Sequence, residues 1–208
     1  MILLSTAYYG NIRYYTKFFQ DQPVVIEAHE NYQKQSYRNR CRILTANGLA
    51  DLTVPVVKDS GNKIPIKDVR IDYSKPWRHQ HWYSIMSAYK NSAYYDYYYD
   101  IFEPLYSERF EFLWDLNEVI REKIFNLLKI KFEIKYSEDF YGDVENDFRN
   151  SISPKKKYNV VDKNFQLVEY YQVFSDKYDF FPDLSIIDLI FCEGPNAVDI
   201  LKQSILIK

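Results

Sequence analysis

Two short apolar runs near the start of the chain enclose a segment with helical spacing. Residues 2–4 and 23–26 are the runs, and the second is rich in β-branched side chains. Between them, apolar side chains recur every three to four positions: Ile12, Tyr15, Phe18 and Phe19. This pattern predicts a βαβ unit, whose two strands are parallel and are joined by a right-handed crossover.

A hairpin is predicted directly after this unit. Asn47 and Gly48 lie between the β-prone runs 41–46 and 50–57, and both residue types tolerate the positive φ that a tight hairpin turn requires. Pro55 has no N–H to donate, which places it at a sheet edge or at the end of its strand. Residues 58–63 then form a predicted polar loop.

Helical spacing dominates the middle of the chain. It predicts one helix from Gln80, a second after a break near Asn91, and a long amphipathic helix over about 110–128. Residues 132–136 alternate as a half-exposed strand does, and 151–164 reads as a mobile surface loop. Near the end, Ser185 and Asp188 have capping-box spacing, and Gly194 supplies a helix stop.

Together these elements predict a single domain over residues 1–208 of the mixed α/β (α+β) class. The N-terminal βαβ unit and the hairpin are expected to share one sheet, packed by several amphipathic helices. A chain of 208 residues is long enough for one substantial core.

Charge and composition restrict the function classes. The net charge is −2, so no global field attracts nucleic acid or an anionic membrane, and the lysines at 155–157 are typical of a solvated face. No apolar run of about 18 residues is present, so no membrane insertion and a cytoplasmic location are predicted. Cys41 and Cys192 are expected to be free thiols. The oligomeric state is left open.

Polar side chains concentrate after the two predicted parallel strands. Ligands of open α/β sheets bind beyond the carboxyl ends of such strands, so the loops at 6–11 and 27–31 should face one crevice. The segment 29–40 adds three cations, two phenols and several amides. The predicted substrate-binding residues are Tyr8, Asn11, Asn31, Arg38, Asn39 and Arg40, with Trp77 and His81 as nearby walls.

Arg38 and Arg40 would share one face of a strand and could clamp a phosphate or carboxylate. The alternative is an ion pair with Glu27, Glu30 or Asp51. His29 is the candidate general base, because its ordinary pKa lies near physiological pH, although a structural hydrogen-bonded role is equally open.

Other chemistries have little support. In a helix His79 and His81 would diverge, and no cysteine or carboxylate ligands accompany them at the usual spacing, so no metal site is predicted. Gly10 stands alone in its loop, which excludes a dinucleotide fingerprint and a P-loop, and no cofactor is expected.

Several of these segments together resemble the WbqC-like protein family. The resemblance rests on the N-terminal aromatic-rich βαβ unit and on residues 29–32, 38–43, 52–56, 71–73 with Trp77, 81–82, 152–155, 171–174 and 184–189. Members of that family are encoded among genes for bacterial surface-polysaccharide assembly. The resemblance implies a role in O-antigen precursor synthesis, with glycine or aminoacyl transfer suggested for the family from genetic context.

Two functions follow as expectations. The first is a transferase that adds a glycyl or other acyl group to a nucleotide-linked amino sugar, so its small-molecule partners are the nucleotide-sugar and an acyl donor. The second is a non-catalytic ligand-binding or assembly protein of the same pathway, which the absence of a recognised nucleophile or cofactor motif favours.

Overall fold

Four short parallel strands form the central sheet in the computed structural model, which describes residues 1–58, 63–155 and 161–206. The strands are β1 (Ile2–Leu4), β2 (Val24–Ile26), β5 (Lys135–Tyr136) and β6 (Asn146–Asp147), in the order β5-β2-β1-β6. β1 pairs with β2 in register Ile2 to Val24, and β5 and β6 pair parallel with β2 and β1. The predicted parallel pairing of the first two strands is therefore confirmed.

The connection between β1 and β2 is helical, as the apolar spacing predicts. It consists of α1 (Ile12–Thr16) followed by a 3₁₀ turn at Lys17–Phe19. All residues of β1 and β2 are buried, as expected for strands with both faces covered.

The hairpin is confirmed, but its predicted place in the βαβ sheet is wrong. β3 (Arg40–Thr45) and β4 (Gly48–Thr53) pair antiparallel around Asn47 and Gly48, and form a separate two-stranded sheet. The reason is that β5 and β6 already occupy the outer edges of β2 and β1. β3 instead packs against helices α2 (Trp77–Tyr89) and α6 (Ile186–Glu193).

The remaining helices surround these sheets. They are α3 (Tyr95–Phe102), α4 (Pro104–Ser107), α5 (Leu113–Leu127) and α7 (Ala197–Gln203), with short 3₁₀ turns at Ile66–Asp68 and Gly194–Asn196. The long amphipathic helix is confirmed as α5, whose buried face includes Leu113, Leu116, Ile120 and Ile124. Of the strand predicted over 132–136, only its last two residues pair as β5.

Two of the three residues predicted to mark the ends of helix α6 do so, and the third has a different role. Ser185 accepts a hydrogen bond from the Ile187 N–H, and Gly194 ends the helix at φ 54°. The capping-box role predicted for Asp188 is wrong, because the Ser185 N–H donates to the carbonyl of Arg42. Asp188 points into the core, where its carboxylate accepts hydrogen bonds from the Tyr89 and Tyr170 hydroxyls at 2.8 and 2.6 Å.

Parts of two predicted loops lie outside the described residues, namely 59–62 of the loop at 58–63 and 156–160 of the loop at 151–164. Within the described ranges, Ile152 and Ser153 are buried, and both cysteines are buried and free. No helix in the described part of the chain is long and apolar enough to cross a membrane.

Candidate functional site

Polar side chains follow every strand of the parallel sheet at its carboxyl end. Thr6 lies after β1, Glu27 after β2, Ser137 after β5 and Arg149 after β6. Because the four strands are parallel, these ends meet at one edge of the sheet, where α/β proteins bind ligands. We call Glu27, Glu30, Arg38, Ser137 and Arg149 the carboxyl-edge cluster.

Glu27 is fully buried and is the centre of this cluster. Its Oε1 accepts from the His29 N–H at 2.9 Å and from the Ser137 hydroxyl at 2.6 Å. Its Oε2 accepts from the Tyr141 N–H and from Arg149 Nη1, both at 3.0 Å. These four bonds satisfy the carboxylate and connect β2 with the segments after β5 and β6.

Glu30 and Arg38 form a second buried ion pair beside the first. Arg38 donates through Nε at 2.7 Å and through Nη2 at 2.5 Å, which is a bidentate pair, and Nη2 also reaches the Arg149 carbonyl at 3.2 Å. Burial raises the pKa of the Glu30 carboxyl, and the bonds from Arg38 oppose that rise. The guanidinium of Arg38 is therefore already bound to a carboxylate.

A small depression is lined in part by the cluster. Its lining includes Lys34, Ser36, Arg38, Arg149, Ser153 and Lys155. The free volume is about 10 Å³, room for roughly one water molecule. Lys155 Nζ donates to the Lys34 carbonyl at 3.0 Å, so the two lysine-bearing segments meet at the rim.

The structure brings together three of the predicted residues away from this depression. The Tyr8 hydroxyl and His81 Nδ1 are 2.9 Å apart, and the Trp77 and His81 ring centroids are 5.1 Å apart. The Tyr8 hydroxyl also contacts the Tyr106 hydroxyl at 3.1 Å. All of these side chains are buried, and burial lowers the pKa of the His81 imidazole to about 4.

Arg38 and Arg40 do not form a joint clamp: β3 begins at Arg40, Arg38 lies before it, and their guanidinium groups bind different carboxylates. Arg40 binds Thr53 Oγ1 at 3.1 Å and Asp51 at 3.2 Å on the hairpin. The alternative of ion pairs with Glu30 and Asp51 is therefore what the structure shows for these two arginines. Asn39 is buried and donates to the Val54 carbonyl at 2.8 Å.

The other predicted residues are spread around the crevice. Asn11 caps α1 through its Oδ1, which accepts from the Tyr14 N–H, and its Nδ2 donates to Asp183 at 2.7 Å. His29 and Asn31 are exposed, and Asn31 forms an isolated bridge with Pro65. The nine predicted residues therefore occupy several environments rather than one pocket.

Sequence reasoning missed Glu27, Ser137 and Arg149 as members of the site. The sequence places Glu27 in the crevice loop 27–31 and makes it a possible ion-pair partner of the arginines, but not one of the predicted binding residues. Ser137 and Arg149 follow strands of two residues each. Strands that short carry no alternation of polar and apolar residues that a sequence pattern can reveal. The position of Glu27 after a well-predicted strand was the one available signal.

Within the described ranges, no group of three or more His, Cys, Asp or Glu side chains is arranged to hold a metal ion. The fold and the cluster define an α/β protein with a charged crevice at the carboxyl edge of a parallel sheet. The family model of the WbqC-like protein family matches residues 7–160, more than half of the chain, and the chain belongs to that family. Comparisons with curated proteins and with solved structures find no match.

Proposed function

We propose that this protein is a cytoplasmic transferase of bacterial surface-polysaccharide precursor synthesis. It adds a glycyl or other aminoacyl group to the amine of a nucleotide-linked amino sugar. Family membership supports the pathway, since the resemblance implies an association with surface-polysaccharide genes. The single observation that carries the proposal is the carboxyl-edge cluster, which lies where α/β sheets hold ligands.

Anion binding is assigned to the rim of this cluster. Arg38 and Arg149 are bound to buried carboxylates, so they support the rim electrostatically instead of acting as open clamps. Lys34 is exposed and Lys155 is half-buried beside it, and their ammonium groups can pair with a diphosphate or a carboxylate from the solvent side. In this proposal the ligand lies on the depression. Asn31 is exposed and precedes Lys34 by three residues in the same segment of the chain.

His29 is the proposed general base. Its side chain is exposed, while its backbone N–H is fixed by the bond to Glu27 Oε1. In the reaction, the sugar amine attacks the carbonyl carbon of an activated acyl donor and a C–N bond forms. The bond to the leaving group then breaks, and the proton lost by the amine passes to the imidazole.

A second function is a non-catalytic binding or assembly protein of the same pathway. Two observations favour it: the guanidinium groups of the cluster are saturated by carboxylates, and the free volume above them is about 10 Å³. Such a site fits recognition of a ligand edge better than enclosure of a reacting centre.

Incubation with nucleotide-linked amino sugars and activated glycyl donors, read by mass spectrometry, separates the two functions. For the transferase we expect His29→Ala to lose on the order of 10²-fold or more in turnover while it keeps ligand binding. Lys34→Ala should weaken binding of the same ligand. Lys90→Ala, an exposed lysine at the end of α2, is the matched control and should change neither quantity.

Binding without any mass change across the panel would establish the non-catalytic function. Failure of every nucleotide-sugar to bind would overturn both functions. Arg38→Ala is a poor probe, because it leaves Glu30 buried without its cation and the fold itself suffers.

A further inference from the structure

A second concave site lies on the other side of strand β5, against helix α5. Its volume is about 390 Å³, which is within the usual range for small-molecule sites. We call it the α5–β5 pocket. The lining residues used below are Glu118, Arg121, Glu122, Asn126, Phe132 and Tyr136.

One wall of this pocket is a fixed polar network. Arg121 donates through Nη1 to Glu118 Oε1 at 2.6 Å and through Nη2 to Glu118 Oε2. Arg121 Nη2 also donates to the Tyr136 hydroxyl at 2.9 Å, and that hydroxyl donates to Glu118. The Arg121 side chain is only 8% exposed, so its part of the network is shielded from solvent. Such a wall presents preorganised acceptors to a ligand.

The charge of the lining selects the kind of ligand. The Arg121 guanidinium is satisfied by Glu118, whereas Glu122 is exposed and has no ion pair or side-chain hydrogen bond in the described part of the chain. The charged side chains of the lining are two carboxylates and one guanidinium, and the guanidinium is already paired with Glu118. The pocket therefore disfavours phosphate and favours a neutral or cationic group. Asn126 adds an exposed amide that both donates and accepts.

Aromatic rings complete the pocket. Tyr136 is 44% exposed, and its ring lies 5.8 Å from the Trp114 ring. Phe132, which also lines the pocket, is partly buried. Flat rings beside carboxylate and amide groups match a molecule that has both C–H faces and many hydroxyls.

We propose that the α5–β5 pocket binds an amino sugar, with the amine paired to Glu122 and the ring hydroxyls bound by Glu118 and Asn126. The pocket adjoins the carboxyl-edge cluster, because Tyr136 lines the pocket and the next residue, Ser137, bonds to Glu27 at 2.6 Å. Consecutive residues of an extended strand point to opposite faces. This sugar is a ligand separate from the nucleotide-linked acceptor, whose amine the proposed function places beside His29, and its binding site rests on the geometry of the pocket.

Binding of free D-glucosamine, followed by Trp114 fluorescence and by saturation-transfer NMR, tests the site. We expect N-acetyl-D-glucosamine, which lacks the charged amine, to bind about two- to fivefold more weakly, the value of one exposed ion pair. Glu122→Gln should weaken glucosamine binding by a similar factor, and Asn126→Ala should also weaken it. Glu169→Gln, an exposed glutamate elsewhere, should bind like the unmodified protein.

Two results would overturn the proposal. One is the absence of glucosamine binding, and the other is binding that Glu122→Gln and Asn126→Ala leave unchanged. Equal binding of a lysine-containing peptide would assign the pocket to a protein partner instead of a sugar. Glucosamine binding in a protein that transfers nothing would retain this site and remove the transferase. Transfer in a protein that does not bind glucosamine at this pocket would remove this site and retain the transferase.

Discussion

Arg149 Nη1 donates to Glu27 Oε2 at 3.0 Å, which joins the segments after β6 and β2 across 122 positions of the chain. Both side chains are buried, and Arg149 also binds Asp147 at 2.6 Å. This contact connects the polar ends of β2 and β6 at the carboxyl edge of the sheet.

We expect Arg149→Ala to lower the free energy of unfolding by about 3–5 kcal/mol, since it leaves the buried Glu27 carboxylate without its cation. Urea denaturation followed by circular dichroism measures the change. The control is Arg70→Ala, which breaks an ion pair with Glu111 whose side chains are 60% and 58% exposed. That variant should lose less than about 1 kcal/mol. Equal losses in the two variants would contradict a structural role for the buried pair.

Asp188 makes stability depend on pH in a predictable direction. Burial raises the pKa of its carboxyl from 3.8 to about 6, so folding favours the protonated form. The stability from this group is complete below about pH 4 and is lost as the pH rises to about 6. Asp188→Asn removes that loss. The stability of this variant relative to the unmodified protein should rise by about 2 kcal/mol between about pH 4 and about pH 6.

Denaturant titrations of both proteins at several pH values test this. Asp183, whose carboxyl pKa burial also raises to about 6, is present in both proteins and cancels in the difference. A difference that does not vary between pH 4 and pH 6 would show that folding does not raise the pKa of the Asp188 carboxyl.

His81 should titrate far below the ordinary range of histidine. Burial lowers the pKa of its imidazole from 6.5 to about 4, so the folded protein prefers the neutral ring. Stability from this group therefore rises as the pH increases from about 4 to about 6.5, opposite in sign to the contribution of Asp188. In an NMR titration of the three histidines, we expect one imidazole to stay neutral at pH 5, and His81→Asn to remove its signal. Titration of all three near pH 6.5 would contradict the buried Tyr8–His81 contact.

The two thiols should be unreactive in the native protein. Cys41 and Cys192 are buried and free, and burial raises the pKa of both thiol groups above the ordinary value. We expect a thiol reagent to label neither cysteine in the folded protein and both after denaturation without a reductant. Finding no thiol in the denatured sample would indicate a disulfide and would count against a cytoplasmic protein.

The sequence alone determined the elements whose signal is local. The parallel β1 and β2, the hairpin at Asn47 and Gly48, and α5 all follow from apolar spacing or turn chemistry within a short window. The crevice at the carboxyl ends followed from the same local pattern through a general rule on α/β sheets.

Only the tertiary structure decided which polar groups meet in that crevice. Three of the four hydrogen-bond partners of Glu27 come from residues more than 100 positions away, after strands too short to show a pattern. Arg38 is neutralised by Glu30. The hairpin formed its own sheet because β5 and β6 took the available edges. Long-range pairing depends on which segments compete for the free sheet edges and charged partners as the chain folds. A local sequence pattern contains no information about that competition.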